Sequence, residues 1–576
     1  MKRLEIAGIF EEIADHLELK GGENPFRIRA YRRAALNLRG LTADIEDLAR
    51  EGSLRTIPGI GEDLEAKIRE FLSAGRLAYL EKLRRKIPAG VVTLMNVPGI
   101  GPKTAKLLYD RFRVKSVEQL EKLVRAGKLR GLPGMGEKTE GNLLRGIQVV
   151  RAGKERMPLG MAVALGQEIV NGLKGVRGIQ QISVAGSLRR RKETVRDIDI
   201  LVCSTDPAKV MDRFVGLGLV GRVQAHGETK SSIRTKQGVQ VDLRVVPKES
   251  FGAALVYFTG SKEHNIQIRG MANRRGLTVN EYGVFRIKTN RRVAGKSEEE
   301  VYRSLGLPWI PPELREDRGE IEAAREGKLP APLRRTDLKG SFHNHSDWTD
   351  GSHPVEQVAK AIREQRYEYM ILSDHSRSLR VAGGLTEAEL LEEMGEVRRL
   401  NARLKPFRIL MGSEVDILPD GSLDYPDRLL AKLDLVIAAV HSAFKQPEET
   451  MTRRIIRALE NPFVNILAHP TGRLLGEREP YAVDLEQVCR AAKRTGTALE
   501  MNCHTLRLDL NDLEARRARE AGVKLVLSTD THVLSQLEDI ELGLSMARRA
   551  WVEPPDLLNT LDAKGLLAWV AKKRKR

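Results

Sequence analysis

From residue 338 onward, one short apolar run after another gives way to a histidine or a carboxylate. His343 and His345 follow Leu338-Lys339-Gly340-Ser341-Phe342, with Asp350 a few residues on. His375 follows Tyr369–Leu372, Glu414 follows Ile409–Met411, His441 follows Leu435–Val440, His469 follows Asn465–Ala468, and Asp530 and His532 follow Lys524–Leu527. Helical stretches separate the runs, a βα rhythm that predicts parallel strands in a barrel or sheet. In α/β barrels the reacting groups gather where the parallel strands end. Two histidines at i and i+2 on a strand point to one face. A lone histidine after a strand is usually a packed core residue. Six of the eight histidines in this region stand at strand ends, and with Asp350, Glu414 and Asp530 they predict a metal cluster. His353 and His504 lack the pattern and are left out of it.

The first 337 residues have a different character. The 576-residue chain carries a formal net charge of +19, yet residues 338–576 hold 35 Lys and Arg against 36 Asp and Glu. The whole positive excess therefore lies before residue 338, and a polyanion is its natural partner. No apolar run approaches the ~18 residues a membrane span needs, and the N-terminus shows no signal-peptide core. Cys203, Cys489 and Cys503 lack metal-ligand spacing, and so few thiols suit a reducing compartment. The expectation is a cytoplasmic, nucleoid-associated monomer with no membrane contact.

A repeat dominates the N-terminal region. Ile57-Pro58-Gly59-Ile60-Gly61 recurs as Val97-Pro98-Gly99-Ile100-Gly101 and as Leu132-Pro133-Gly134-Met135-Gly136, each copy opening a helix-like stretch. The unit resembles a helix-hairpin-helix. Its Gly-x-Gly turn presents backbone N–H groups at a helix start, where a phosphate binds without sequence readout. One such turn is an ordinary connection. Three in 80 residues point to DNA, and Gly59, Gly61, Gly99, Gly101, Gly134 and Gly136 are the expected phosphate contacts, with Lys230 a further DNA contact.

Between the repeats and the histidines lies an acidic set. Gly186-Ser187-Leu188-Arg189-Arg190 precedes Asp197-Ile198-Asp199, and Asp242 sits in the strand-like Val241–Val245. Asp197 and Asp199 share a strand face, and a third carboxylate on a neighbouring strand completes an oxygen cage. Such donors suit Mg²⁺, and two such ions stabilise both oxygens of a phosphoryl displacement. Asp-x-Asp alone describes many solvated strand ends. The Gly-Ser turn eleven residues earlier makes nucleotidyl transfer the better reading.

Residues 1–318 resemble the family X DNA polymerases, DNA polymerase beta among them. The likeness rests on Gly186-Ser187 through Asp199, on Tyr257-Phe258-Thr259-Gly260-Ser261, and on Gly227-Glu228-Thr229-Lys230, Asn265, Arg269 and Asn280-Glu281-Tyr282. It implies that Asp197, Asp199 and Asp242 hold two Mg²⁺ ions and that Asp242 assists loss of the 3′-hydroxyl proton. Gly186, Ser187 and Arg190 would contact the triphosphate, Tyr257, Phe258, Gly260 and Asn265 would line the sugar and base pocket, and Arg269 would meet the minor groove. Gln240 departs from the family, which often has an arginine two positions before the third aspartate. Lys67 falls where the family's Schiff-base lysine lies. Asp63 replaces a second lysine of that pocket, and a lysine nucleophile needs neighbouring cations or burial, so lyase activity is not expected.

Residues 338–576 resemble the PHP (polymerase and histidinol phosphatase) family, with all nine ligand positions filled. The likeness implies a distorted TIM-like barrel with up to three ions, Mn²⁺ or Zn²⁺: one held by His343, His345, Glu414 and Asp530, one by Glu414, His441 and His469, one by Asp350, His375 and His532. Metal-dependent phosphoester hydrolysis would follow. The expected fold is multidomain, α+β and α/β: a helical lyase-like domain (1–85) with the first hairpin, fingers (86–152) with the other two, a nucleotidyltransferase palm (153–248), a thumb (249–318), a linker (319–337) and the PHP domain (338–576). The expected substrates are gapped or nicked DNA and deoxynucleoside triphosphates. The expected function is gap filling in base excision repair or end joining, with 3′–5′ exonuclease and abasic-site cleavage by the PHP domain. Two rival readings remain: a DNA-end scaffold with a silent polymerase, and a small-molecule phosphatase tethered to a DNA-binding region. The basic tail Lys572–Arg576 is open between a DNA contact and a solvated end.

Overall fold

The computed structural model of the protein describes residues 2–20, 24–40, 45–57, 59–97, 100–130, 143–144, 147 and 156–575. Gly99 and the third repeat, with Gly134 and Gly136, lie outside the described residues.

The N-terminal part is helical. The helices Lys2–Lys20 and Pro25–Gly40 pack together around Phe10, Ile13 and Tyr31, all buried. Gly61 caps the start of helix Glu62–Ala74 and Gly101 that of Pro102–Phe112, so both hairpin turns meet a helix N-terminus as expected. Gly59 has φ +78°, a conformation that favours glycine. A second helical cluster gathers Leu94, Leu108 and Leu120. In it the Ser116 hydroxyl accepts from the Gln119 N–H at the start of helix Val117–Arg125.

The stretch expected as the palm holds a five-stranded sheet in the order Ile179–Val184, Asp197–Ser204, Gln240–Val245, Lys230–Thr235, Val220–His226. Its second and third strands run parallel, the rest antiparallel. Helices Leu159–Leu173 and Pro207–Val215 cover one face with Leu165, Ile169, Val210 and Phe214. The thumb packs helices Phe251–Thr259 and Lys262–Arg274 on a three-stranded sheet.

Residues 319–337, expected as a linker, are built into the fold. Helix Glu320–Arg325 buries Ile321 and Ala324 in the thumb core, and Glu320 pairs with the buried His264 ring at 2.7 Å. The apolar positions of a short amphipathic turn outweigh its Pro and Glu content.

The C-terminal part is a closed barrel of seven parallel strands: Gly340–Asn344, Tyr369–Leu372, Arg408–Asp416, Leu435–Ala439, Val464–Leu467, Ala498–Asn502 and Leu525–Thr531. The first strand closes on the last, Phe342 opposite Ser528. Apart from Arg408 every strand residue is buried, as a parallel barrel covered by helices requires. Helix Val355–Glu364 shows why the covering works: Val355, Val358, Ala359 and Ile362 fall on one face and are all buried. Within the basic tail, Lys573 and Arg574 are engaged by the barrel, while Lys572 and Lys575 are exposed. Lys573 is buried and donates to the Val464 carbonyl and the Thr497 hydroxyl, while Arg574 donates to the Leu433 carbonyl at 2.7 Å.

Candidate active sites

The first site lies on the palm sheet. Asp197 and Asp199 sit on one strand, and Asp199 pairs in register with Asp242 on the next. The turn Gly186–Arg189 stands directly above: a Cβ on Gly186 (φ +59°) would meet the Asp199 carboxylate at 2.5 Å. Burial, then Asp197 and then Asp242, push the Asp199 carboxyl up to about 6. Three acids are thus crowded where only positive charge relieves them. Lys230 and Arg244, neighbours across adjacent strands, pull the other way.

Gln240 takes the place of the expected arginine and reaches Asp242 only at 3.5 Å. The closer partner is one the sequence did not suggest: the Ser232 hydroxyl donates to Asp242, from the facing position of the neighbouring strand. Tyr257 and Phe258 meet edge to face at 5.1 Å. Asn265 donates to the Tyr257 carbonyl at 2.7 Å, and Arg269, one turn along helix Lys262–Arg274, is exposed. Arg190 is engaged: its Nε donates to Glu316 at 3.0 Å and its Nη1 to the Thr259 carbonyl. In the N-terminal domain the Lys67 ammonium is paired with Asp63 and lies 5.4 Å from the Tyr79 ring centroid.

The second site is the mouth of the barrel, where a cavity of about 200 Å³ is lined by Asp350, His375, Glu414, His441, His469, Asp530 and His532, with Arg507 at its wall. Glu414 is the hub. Its Oε2 lies 2.9 Å from His375 Nδ1 and 3.3 Å from His343 Nε2, and its Oε1 lies 3.0 Å from His469 Nε2 and 3.3 Å from His441 Nε2. His345 Nε2 is 3.4 Å from Asp530, and His532 Nε2 is 3.3 Å from Asp350. All nine expected ligands converge.

Their grouping differs in part from the expectation. The donors cluster as His345, Asp350, His375 and His532, as His343, His345 and Asp530, and as His375, Glu414 and His441. His345 belongs to the first and second groups and His375 to the first and third, and their rings stack at 4.4 Å.

The donor set fits divalent metal ions. His343 Nε2, both ring nitrogens of His345 and Asp350 Oδ1 are buried with no hydrogen-bond partner, and a buried polar atom left so is costly unless something binds it. Burial alone would raise Glu414, but the rings of His343, His441 and His375 hold its carboxyl well below the ordinary range. Asp530 is lowered likewise, against burial, by His343, His345, His532 and Arg507. His532 is pushed up to about 9, Asp350 outweighing desolvation. The cluster thus favours cations among its carboxylates. Three of the nine ligands are held in left-handed backbone: His343 at φ +59°, His469 at +28° and Asp530 at +50°. Non-glycine residues persist there only when the surroundings over-determine them, and such positions cluster at functional sites.

Sequence reasoning missed the groups that orient the expected ligands. Glu500 accepts from His343 Nδ1 and from the His469 N–H, both at 2.5 Å. Asp416 holds His441 Nδ1 at 2.6 Å. Asn502 donates to Asp530 at 3.1 Å, and Arg507 Nε lies 3.2 Å from the same carboxylate while its Nη1 is buried without a partner. The available signal was an acid and an amide inside the apolar strand Ala498–Asn502, where no solvent accounts for them.

Comparison with known proteins gives the following. Residues 254–316 match the DNA polymerase beta thumb family, 1–77 a helix-hairpin-helix domain, and 91–148 a SAM-like helix-hairpin-helix tandem. The chain is similar to the DNA polymerase/3′-5′ exonuclease PolX of Bacillus subtilis, 39% identical over 572 residues covering 99% of each chain. Its C-terminal part is similar to a probable phosphatase of Thermoanaerobacter sp., 27% identical over 42% of this chain and 98% of that protein. It is also similar to a probable phosphatase of Acetivibrio thermocellus, 30% identical over 35% of this chain and 86% of that protein.

Proposed function

The chain belongs to the family X DNA polymerases with a C-terminal PHP domain, and from that premise we propose a gap-filling repair polymerase whose barrel removes 3′ nucleotides and cleaves at abasic sites. The observation that supports this best is the pair of separate sites with different donors: three carboxylates on the palm, and six imidazoles with three carboxylates in the barrel. Oxygen donors suit two Mg²⁺ ions, and imidazole-rich donors suit Mn²⁺ or Zn²⁺. When bound, such ions supply Lewis-acid activation of the phosphoryl group and of the attacking oxygen.

The chain's own residues do the rest. Asp242, oriented by Ser232, takes the proton of the primer 3′-hydroxyl. Ser187 and Arg190 bind the triphosphate beneath the Thr259–Gly260 turn. Tyr257 and Phe258 wall the sugar, Asn265 and Arg269 follow the new pair, and the hairpin glycines hold the backbone of gapped or nicked DNA. In the barrel, Arg507 Nη1 is available to a phosphate oxygen of the 3′ nucleotide. A nucleoid-associated protein accords with the basic N-terminal half; among the described residues no helix is long and apolar enough to cross a membrane.

The test uses a 5′-labelled primer in a one-nucleotide gap, with Mg²⁺ and the complementary deoxynucleoside triphosphate. One-nucleotide extension that Asp242→Ala abolishes is expected. Extension at the parent rate in that variant refutes the palm assignment.

A further inference from the structure

The turn after Gly186-Ser187 is held by two other domains. Arg189 donates through both terminal nitrogens to Glu298 of the thumb, at 2.7 and 2.8 Å. Arg190 donates to Glu316 at the thumb's end. Its own backbone oxygen accepts from Arg549 Nη1 at 2.6 Å, and the same Nη1 donates to Glu316 Oε1 at 2.9 Å. Arg549 ends the barrel-domain helix Ile540–Arg549, and its side chain is 1% exposed. Its Nη2 donates to Asp512 at 2.7 Å, an acid that also takes Arg318 Nη1 at 2.8 Å. Three residues past Arg190, Glu193 accepts from Arg473 of the barrel at 2.7 Å. A side chain from the nuclease half therefore touches both the main chain and the counter-ion of a residue in the polymerase half.

We infer that the PHP barrel is a working part of the polymerase's nucleotide site, with Arg549 a positioning residue that sets where Arg190 presents its guanidinium. The inference rests on the reading above that Arg190 binds the triphosphate. Glu316 is shared by Arg190 and Arg549, with Lys192 no nearer than 3.9 Å. Without Arg549 the buried carboxylate keeps Arg190 as its one close cation and draws it away from the nucleotide, while the Arg190 carbonyl loses its donor. A buried pair that loses one partner leaves an uncompensated charge that the neighbourhood must answer. Arg549 has no contact to the nine expected ligands among its hydrogen bonds and ion pairs.

The experiment measures KM for the nucleotide, kcat for gap filling, 3′–5′ degradation and thermal unfolding on full-length parent, Arg549→Met, Arg549→Lys and Arg190→Ala. A small misplacement of a group that orients substrate costs roughly tenfold or more, so Arg549→Met is expected to raise the nucleotide KM about tenfold. Degradation and the KM for DNA should be unchanged, and Arg549→Lys, which keeps charge and one donor, should fall between. Should Arg549→Met fail to fold, Arg549→Lys carries the test alone, and its nucleotide KM must still rise above the parent's while degradation stays unchanged. An unchanged nucleotide KM in the folded variant, with KM raised in Arg190→Ala, overturns the inference alone. An unchanged KM in Arg190→Ala shows that the reading of Arg190 is at fault, and the inference falls with it. Equal loss of both activities with a fall in unfolding temperature shows a merely structural arginine and also overturns it.

Discussion

Glu500 offers the sharpest perturbation of the barrel site, because it touches ligands without being one of the nine. Its carboxylate is buried and accepts from His343 Nδ1, Ser528 Oγ and the His469 N–H, each at 2.5 Å, with Asn502 at 3.2 Å. Accepting from Nδ1 fixes the His343 proton there and leaves Nε2 facing Glu414 and Asp530. In Glu500→Gln one oxygen is replaced by a donor that confronts either the His343 and Ser528 protons at Oε1 or the His469 N–H and the Asn502 amide at Oε2. Partners that hold a metal ligand in this way are worth 10–100-fold in metal affinity or activity, or about 1.4–2.7 kcal/mol. The buried donor left unmatched costs stability of about 1–3 kcal/mol. The assay is 3′ nucleotide release from a 5′-labelled duplex in Mn²⁺, with Mn²⁺ affinity from chelator competition and primer extension in Mg²⁺ as the control for folding. Parent-like degradation and metal affinity in a folded Glu500→Gln protein would refute the reasoning.

Further outcomes are expected at the other sites. Burial and the neighbouring Asp197 and Asp242 push the Asp199 carboxyl up to about 6 from an ordinary 3.8, so its ionisation is a cost that appears as pH rises through that window. In chelator-stripped protein Asp199→Asn should therefore raise stability at pH 7.5 by up to about 3 kcal/mol. The gain should fade between pH 6 and pH 4, and a variant less stable than parent at pH 7.5 in chemical unfolding contradicts this. Stripped enzyme given only Mg²⁺ should extend primers with little degradation, and Mn²⁺ should bring degradation back; full degradation in Mg²⁺ alone counts against an imidazole-rich catalytic site. Borohydride should trap little adduct with a 5′-deoxyribose-phosphate end, because Asp63 occupies the Lys67 ammonium; strong trapping lost in Lys67→Ala would overturn that.

The barrel and its ligands were legible because a strand-end donor leaves a local mark, an apolar run followed by a histidine or carboxylate. The palm trio was legible for the same reason, two acids at strand spacing and a third in a strand of its own. What stayed hidden depends on contacts distant in sequence. Glu500 reaches His343 across 157 residues, and Arg549 reaches Glu316 across 233. Nothing near Glu500 or Arg549 in the sequence announces those partners. Ser232 meets Asp242 only through strand register, and a serine in a strand is no signal by itself. Composition misled at 319–337, where Ile321 and Ala324 find a core, and it left the C-terminal tail open, where Lys573 is buried.

The central claim is that one chain holds two separate phosphoryl-transfer sites, each with its own residues. A 3′-recessed, 5′-labelled duplex, with Mg²⁺, Mn²⁺ and all four nucleotides and then with nucleotides withheld, tests it on Asp242→Ala and His343→Ala. Asp242→Ala is expected to lose extension and keep degradation, and His343→Ala to do the reverse. Loss of both activities in either folded variant, or retention of both in each, would contradict it.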